Sequence, residues 1–129
     1  MKWNALPKNT NLEDWQGFVY EVRHKKTGQY YIGKKFFWSK KTRPPLKGRK
    51  NKRHYRVESD WKTYCTSSPK VKEIINKEGV SAFKWIITRL CKDKFDCAYY
   101  ELEEQVNQRA LFDPLCLNEV INVRLRKRK

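Results

Sequence analysis

The sequence predicts a small α+β fold in which a three-stranded antiparallel sheet is flanked by helices. Three observations carry this. Short runs rich in aromatic and β-branched residues fall at Phe18–Arg23, Tyr30–Gly33 and Phe83–Leu90, as strands require. Two longer segments show helical spacing behind helix-start residues, giving the order β, β, α, β, α. The chain's 129 residues, 39% hydrophobic and 14% aromatic, can fill one modest core but not two. The expectation is one domain over residues 1–129.

Each element has a local reason. Residues 1–16 are mostly polar but hold Trp3 and Trp15, which suits a loop packed across the core. Phe18–Arg23 and Tyr30–Gly33 make a hairpin about the turn Lys26-Thr27-Gly28-Gln29. Pro44-Pro45 and Gly48 predict an extended basic loop over residues 34–52, with a helical turn or two around Arg53–Tyr64. Ser68 is a candidate N-cap and Pro69 a first-turn residue, where its missing N–H costs nothing. Val71, Ile74 and Ile75 follow at helical spacing, and Gly79 closes that helix. "FKWIITRL" is the third strand. "DCAYYELEEQVNQRALF", Asp96–Phe112, reads as the second helix with Asp96 as its N-cap, and "NEVINV" as a last short strand.

The charge is the anomaly. There are 30 basic residues against 14 acidic, a formal +16. Residues 34–57 hold 11 Lys or Arg and no acid, and the tail 124–129 holds five more. These blocks contain the whole excess, because the other 14 cations match the 14 acids. Local basic blocks are the footprint of a polyanion. Phe36, Phe37, Trp38, His54 and Tyr55 interleave with the internal block and offer stacking surfaces for bases. A solvated loop and tail is the plainer alternative.

Several classes fall away. No apolar run approaches the ~18 residues of a membrane span, and "MKWNALPKNT" lacks the apolar core of a signal peptide, so a cytoplasmic protein is expected. Cys65, Cys91, Cys97 and Cys116 form no CxxC pair, and His24 and His54 no ligand pattern, so neither zinc nor disulfides are expected. On the second helix, at 100° per residue, Ala98, Tyr99, Leu102, Val106 and Ala110 share the arc expected to meet the sheet. Glu104 lies opposite. Glu101 and Gln105 share one border and Glu103 the other. A border carboxylate can point into a cleft, though "ELEE" is equally an exposed acidic turn near the positive end of the helix dipole.

Three tyrosines, Tyr20, Tyr30 and Tyr31, crowd into one hairpin with Gly33 and two lysines directly after. Phe18-Val19-Tyr20, ten residues, then Tyr31-Ile32-Gly33 resembles the signature hairpin of the GIY-YIG endonucleases. "FVY" replaces Gly-Ile-Tyr but keeps the tyrosine. "SSPKVKEIINKEGVSAFKWIITRL", "YYELEEQ" and "LCLNEVIN" resemble the family's middle section, its glutamate helix and its asparagine segment. "YIGKKFFW" and "ESDWKTYCTSS" look most like small phage-encoded members, including homing-type enzymes. The similarity runs over roughly residues 17–121.

The resemblance implies metal-dependent cleavage of a DNA phosphodiester, with double-stranded DNA as partner. It carries catalytic roles onto Tyr20, Tyr31, Glu101 and Asn118, with Glu101 holding Mg²⁺ or Mn²⁺ because Gln105 falls at the matching +4 position. An arginine is also implied. Arg49, Arg53 and Arg56 compete for it, and counting back from Ser67-Ser68 favours Arg53. No histidine follows at the family's usual spacing. Lys34, Lys35, Lys47, Arg49, Lys50, Lys52 and Arg56 are the candidate DNA-binding cations. A phenol begins near pKa ~10, so nearby cations are expected to lower one motif tyrosine into a useful base. The alternatives are an inactive nucleic-acid-binding module of the same fold and a small basic RNA-binding protein.

Overall fold

The computed structural model describes residues 3, 4, 6–121 and 124–127. In chain order its elements are β1 (Trp3–Asn4), β2 (Gly17–His24), β3 (Tyr30–Phe36), β4 (Trp38–Arg43), β5 (Arg53–Glu58), α1 (Pro69–Glu78), β6 (Phe83–Cys91) and α2 (Lys94–Asn107). Short 3₁₀ turns lie at Leu12–Asp14 and Val80–Ala82. The main sheet runs β1-β6-β2-β3, and β4 and β5 form a separate two-stranded sheet.

The α+β class and the antiparallel β6-β2-β3 core agree with the sequence. Two-residue β1 extends that sheet by pairing parallel to β6. It is anchored by Trp3, whose indole donates to the Trp61 carbonyl at 2.8 Å. Strand β2 is the centre and is buried on both faces. Its alternation sends Phe18, Tyr20 and Val22 into an aromatic core with Trp3, Phe37, Trp61, Val71 and Trp85. Val19 on the opposite face packs with Tyr30, Ile32, Cys91 and Cys97 under α2.

Helix α1 forms where its caps predict. Ser68 accepts from the Val71 N–H, Pro69 sits in the first turn, and Gly79 ends the helix at φ 88°. Helix α2 begins earlier than expected. Its N-cap is Asp93, not Asp96, and Asp93 Oδ1 accepts from the Asp96 N–H at 2.8 Å. It also ends earlier, at Asn107, and Arg109 turns the chain with φ 53°.

The face of α2 needs correction too. Cys97 and Gln105 are its buried residues, whereas Tyr99 and Val106 are exposed. The helix is rotated because the sheet presents polar groups on this side. Gln105 Nε2 donates to the Ile32 carbonyl at 3.4 Å, and Gln108 Nε2 to Glu21 at 3.0 Å. Lys34 on β3 reaches Glu101. An edge strand's carbonyl, shared with Asn118, and the largely buried Glu101 carboxylate gain more from these partners than Val106 would from a core. Glu104, expected in open solvent, is half-buried and accepts from Gln108 at 2.6 Å.

The basic insertion is a hairpin rather than an extended loop. Strands β4 and β5 pair from Trp38 opposite Glu58 to Arg43 opposite Arg53. Pro44-Pro45 and Gly48 fall in the connection, where they break no ladder. The helical turns expected around residues 53–64 reduce to one turn, in which the Tyr64 N–H donates to the Asp60 carbonyl. No strand forms over residues 118–121. The Tyr30–Cys116 bridge is what remains of the last strand expected, and residues 122 and 123 lie outside the described residues. Of the basic tail, residues 124–127 have no regular structure, and 128 and 129 also lie outside the described residues. Among the described residues no helix is long and apolar enough to cross a membrane.

Candidate active site

Strand β3 is the edge of the main sheet, and the site is built around it. Alternation puts Tyr31 and Lys35 toward the α1 side and Lys34 toward α2. The edge itself is closed by a side chain. Asn118 accepts from the Ile32 N–H and donates to the Ile32 carbonyl, both at 2.9 Å, as a neighbouring strand would. A cleft of about 740 Å³ opens beside this edge, lined by Tyr31, Lys34, Lys35, Tyr64, Glu101 and Asn118 among others. Ser67, Lys40 and Lys94 complete its polar wall.

Glu101 is the acidic side chain lining the cleft, and its side chain keeps only 18% of its exposure. Its Oε1 takes the Lys34 ammonium at 3.3 Å. Burial pushes the carboxyl above the ordinary carboxylate range, and Lys34 opposes that push. Tyr31 shares its hydroxyl hydrogen bond with Ser67 at 3.2 Å. Lys35 lies 4.3 Å over the Tyr64 ring and pairs with Asp60 at 2.7 Å.

The two motif tyrosines are not equivalent. Tyr20 is fully buried beneath the cleft, and its hydroxyl has no hydrogen-bond partner among the described residues. Burial holds that phenol far above its usual pKa, and neighbouring Tyr64 adds to the effect. Gly33 exists for this ring. A Cβ there would stand 2.5 Å from the Tyr20 hydroxyl oxygen. Tyr31 opens onto the cleft instead. Burial raises its pKa as well, and the Glu101 charge adds to the rise. The lowering expected from nearby cations is therefore outweighed by burial at both tyrosines.

Tyr31, Glu101, Asn118, Lys34 and Lys35 are thus brought together, with Tyr20 directly below. Arg53 is not. It sits exposed on β5 and donates from Nε to the Pro44 carbonyl. Arg49 is in the hairpin connection, and Arg56 pairs with Glu13 and stacks 4.3 Å from the Trp38 ring. Among the described residues no arginine lines the cleft. Lys47, Lys50 and Lys52 are exposed in the connection between β4 and β5. The sequence reading missed Tyr64, Ser67, Lys40 and Lys94. Lys40 and Lys94 left signals, Lys40 as a member of the basic block at residues 34–57 and Lys94 as a cation in a helix's first turn, which opposes the macrodipole and suits an anion held nearby.

Residues 3–121 match the family model described as "Putative endonuclease segE, GIY-YIG domain". The chain belongs to the GIY-YIG endonuclease family. No curated protein and no solved structure gave a significant match. In family terms the tyrosine of "FVY" is the buried Tyr20, the tyrosine of "YIG" is the cleft residue Tyr31, and Gly33 is the seat of the first ring. The nuclease family points to a nucleic-acid substrate.

Among the described residues no three His, Cys, Asp or Glu side chains converge. A divalent ion here would rest on one carboxylate. That donor set suits a hard cation that keeps most of its waters, and Glu101 already pairs with a cation there, the Lys34 ammonium at 3.3 Å.

Proposed function

We propose that this GIY-YIG chain hydrolyses phosphodiester bonds of double-stranded DNA, with Glu101 holding one Mg²⁺ or Mn²⁺. The convergence of Glu101, Tyr31 and a set of lysines in one cleft is the observation that carries this reading. A bound divalent ion would supply a Lewis acid for a phosphoryl oxygen and offset the Glu101 charge. Lys35, Lys40 and Lys94 line the cleft and draw the phosphate in. Tyr31 opens onto the cleft and would orient the attacking water through its hydroxyl. To take that water's proton it must first be a phenolate, a form that burial disfavours most and the Glu101 charge disfavours further. A cation held at Glu101 would offset the second of these. Asn118 holds β3 in register beneath that phenol. Tyr20 packs under the site and fixes the floor.

Supercoiled plasmid incubated with the protein should be cut with Mg²⁺ and left intact with EDTA. Glu101→Gln should abolish cutting while DNA binding persists, and Glu104→Gln, outside the cleft, should cut normally. Cutting by Glu101→Gln at the wild-type rate would sink the assignment. A binding module without cleavage is the second reading, and the burial-raised phenol of Tyr31, a weak base, favours it. Persistent plasmid binding with no cutting under any divalent metal would select it.

A further inference from the structure

The β4–β5 hairpin is badly designed as a free-standing element. Every residue from 40 to 56 is exposed, and an isolated two-stranded hairpin is marginal in water. Its register places Lys40 opposite Arg56 and Arg43 opposite Arg53. Like charges directly opposite each other destabilise a ribbon. Nine Lys or Arg fall between Trp38 and Glu58, against the single acid Glu58. A ribbon so crowded with like charge suits an anionic partner.

Its two faces differ in what they can do. Alternation and register put Trp38, Lys40, Thr42, His54 and Arg56 on one face, where Arg56 stacks on Trp38. Arg43 stacks over Tyr55 at 4.4 Å on the other. The first face continues the active-site cleft. Trp38 and Lys40 line that cleft with Glu101, and they also line an adjoining groove of about 330 Å³ with His54, Arg56 and Lys94. Between the two opposed cation pairs, Thr42 lies directly opposite His54. A hydroxyl and a neutral imidazole both donate and accept, as reading a base edge requires.

We propose that the β4–β5 hairpin is a sequence-reading ribbon that enters the major groove of duplex DNA, with Thr42 and His54 facing base edges. The inference rests on the nuclease reading above and names what that reading leaves open, the element that selects the site. A six-residue ribbon is about 20 Å long, and the major groove, ~12 Å wide, admits two paired strands. With a phosphate at Glu101, the duplex runs outward along the Lys40 face. Cations at the hairpin tip then reach the flanking backbone.

The test is selection of bound duplexes from a randomised library in EDTA, so that cutting plays no part. Wild-type protein should enrich a short preferred sequence. The double variant Thr42→Val, His54→Phe keeps strand-forming residues but removes both polar groups. It should lose about tenfold in preference at one or two adjacent base pairs, with affinity for random duplex held within about threefold. Circular dichroism of both proteins controls for folding. Unchanged enrichment in the double variant overturns the proposal, as does a wild type that binds duplexes without preference or favours single strands. Absence of metal-dependent plasmid cutting would instead sink the nuclease reading and leave the binding selection to stand or fall alone.

Discussion

Tyr20 and Tyr31 share a residue type, a hairpin and a motif, yet one is buried beneath the site and the other opens into it. Strand alternation cannot tell them apart, because both side chains leave the sheet on the same face. Depth decides it, and depth comes from Trp3, Tyr64 and Trp85 closing over Tyr20. Tyr31→Phe should therefore cost roughly 10²–10⁴-fold in cleavage rate, the usual yield of positioned proton transfer. Tyr20→Phe removes an orphaned buried hydroxyl, so it should cut within a few-fold of wild type. It should also be more stable to urea, by up to about 1–3 kcal/mol. The reverse pattern of rates would make Tyr20 the base. Glu101 carries a second residue-scale expectation. Burial raises its pKa above the ordinary carboxylate range, so folding favours the protonated form. That contribution is full below about pH 4.5 and is lost as pH rises through the folded-state pKa. Glu101→Gln mimics the protonated form. At pH 7 its melting temperature should equal or exceed wild type, and the gap should close toward pH 4. A variant that melts well below wild type at pH 7 would show the Lys34 ion pair outweighing the burial cost.

At the scale of elements, legibility followed the strength of local chemistry. Ser68, Pro69 and Gly79 specify α1 without help from the rest of the chain, and the sequence places it correctly. β2, β3 and β6 were equally plain, since their aromatic and β-branched residues admit little else. Helix α2 was legible as a helix but not in its rotation. Apolar periodicity aims Val106 and Tyr99 inward, whereas the edge carbonyl of Ile32, which also accepts from Asn118, and the charge of Lys34 recruit Gln105 and Glu101 instead. Even so, the glutamate chosen by motif spacing is the one that reaches the cleft. The β4–β5 hairpin was hidden because its prolines and glycine read as a loop, and its cross-strand cations oppose pairing. The arginine choice failed to reach the cleft for the same reason, as counting back from Ser67 assumed a helix where β5 lies. Gly33 gives this scale its own prediction. Its missing Cβ lets Tyr20 lie against the β3 backbone, and both strands are pinned in the sheet. Gly33→Ala should destabilise by about 1–3 kcal/mol in urea denaturation, an overpacking cost. Gly48→Ala, where a Cβ meets nothing within 4 Å, should show only the smaller strain of its positive φ. Equal losses at the two positions would mean that the Tyr20 contact is unimportant.

Across the whole molecule the charge is divided between chemistry and reach. Lys34, Lys35, Lys40 and Lys94 line the cleft, where an anion entering it would meet them. The hairpin cations from Lys41 to Arg53 are exposed outside the cleft lining, and Arg124, Arg126 and Lys127 are exposed as well. Ion pairs engage few of the hairpin's charges, Arg56 with Glu13 being one. Folding therefore gains little from them, and their contribution should appear in DNA affinity instead. If about six cations meet phosphates, log affinity should fall against log salt with a slope of about −5. Reversing Lys47, Arg49 and Lys50 to glutamate removes three tip contacts, so the slope should flatten by roughly 2–3. Affinity should drop alike for every duplex, since phosphates carry no sequence. Melting temperature should hold or rise slightly, because the reversal relieves crowding among cations at an exposed tip. Filter binding at several salt concentrations, beside a melting curve for each protein, checks both statements together. An unchanged slope in the triple variant would place the phosphate contacts elsewhere, on the cleft lysines and the tail. A change confined to one sequence would make the tip, not the Thr42–His54 pair, the part that reads bases.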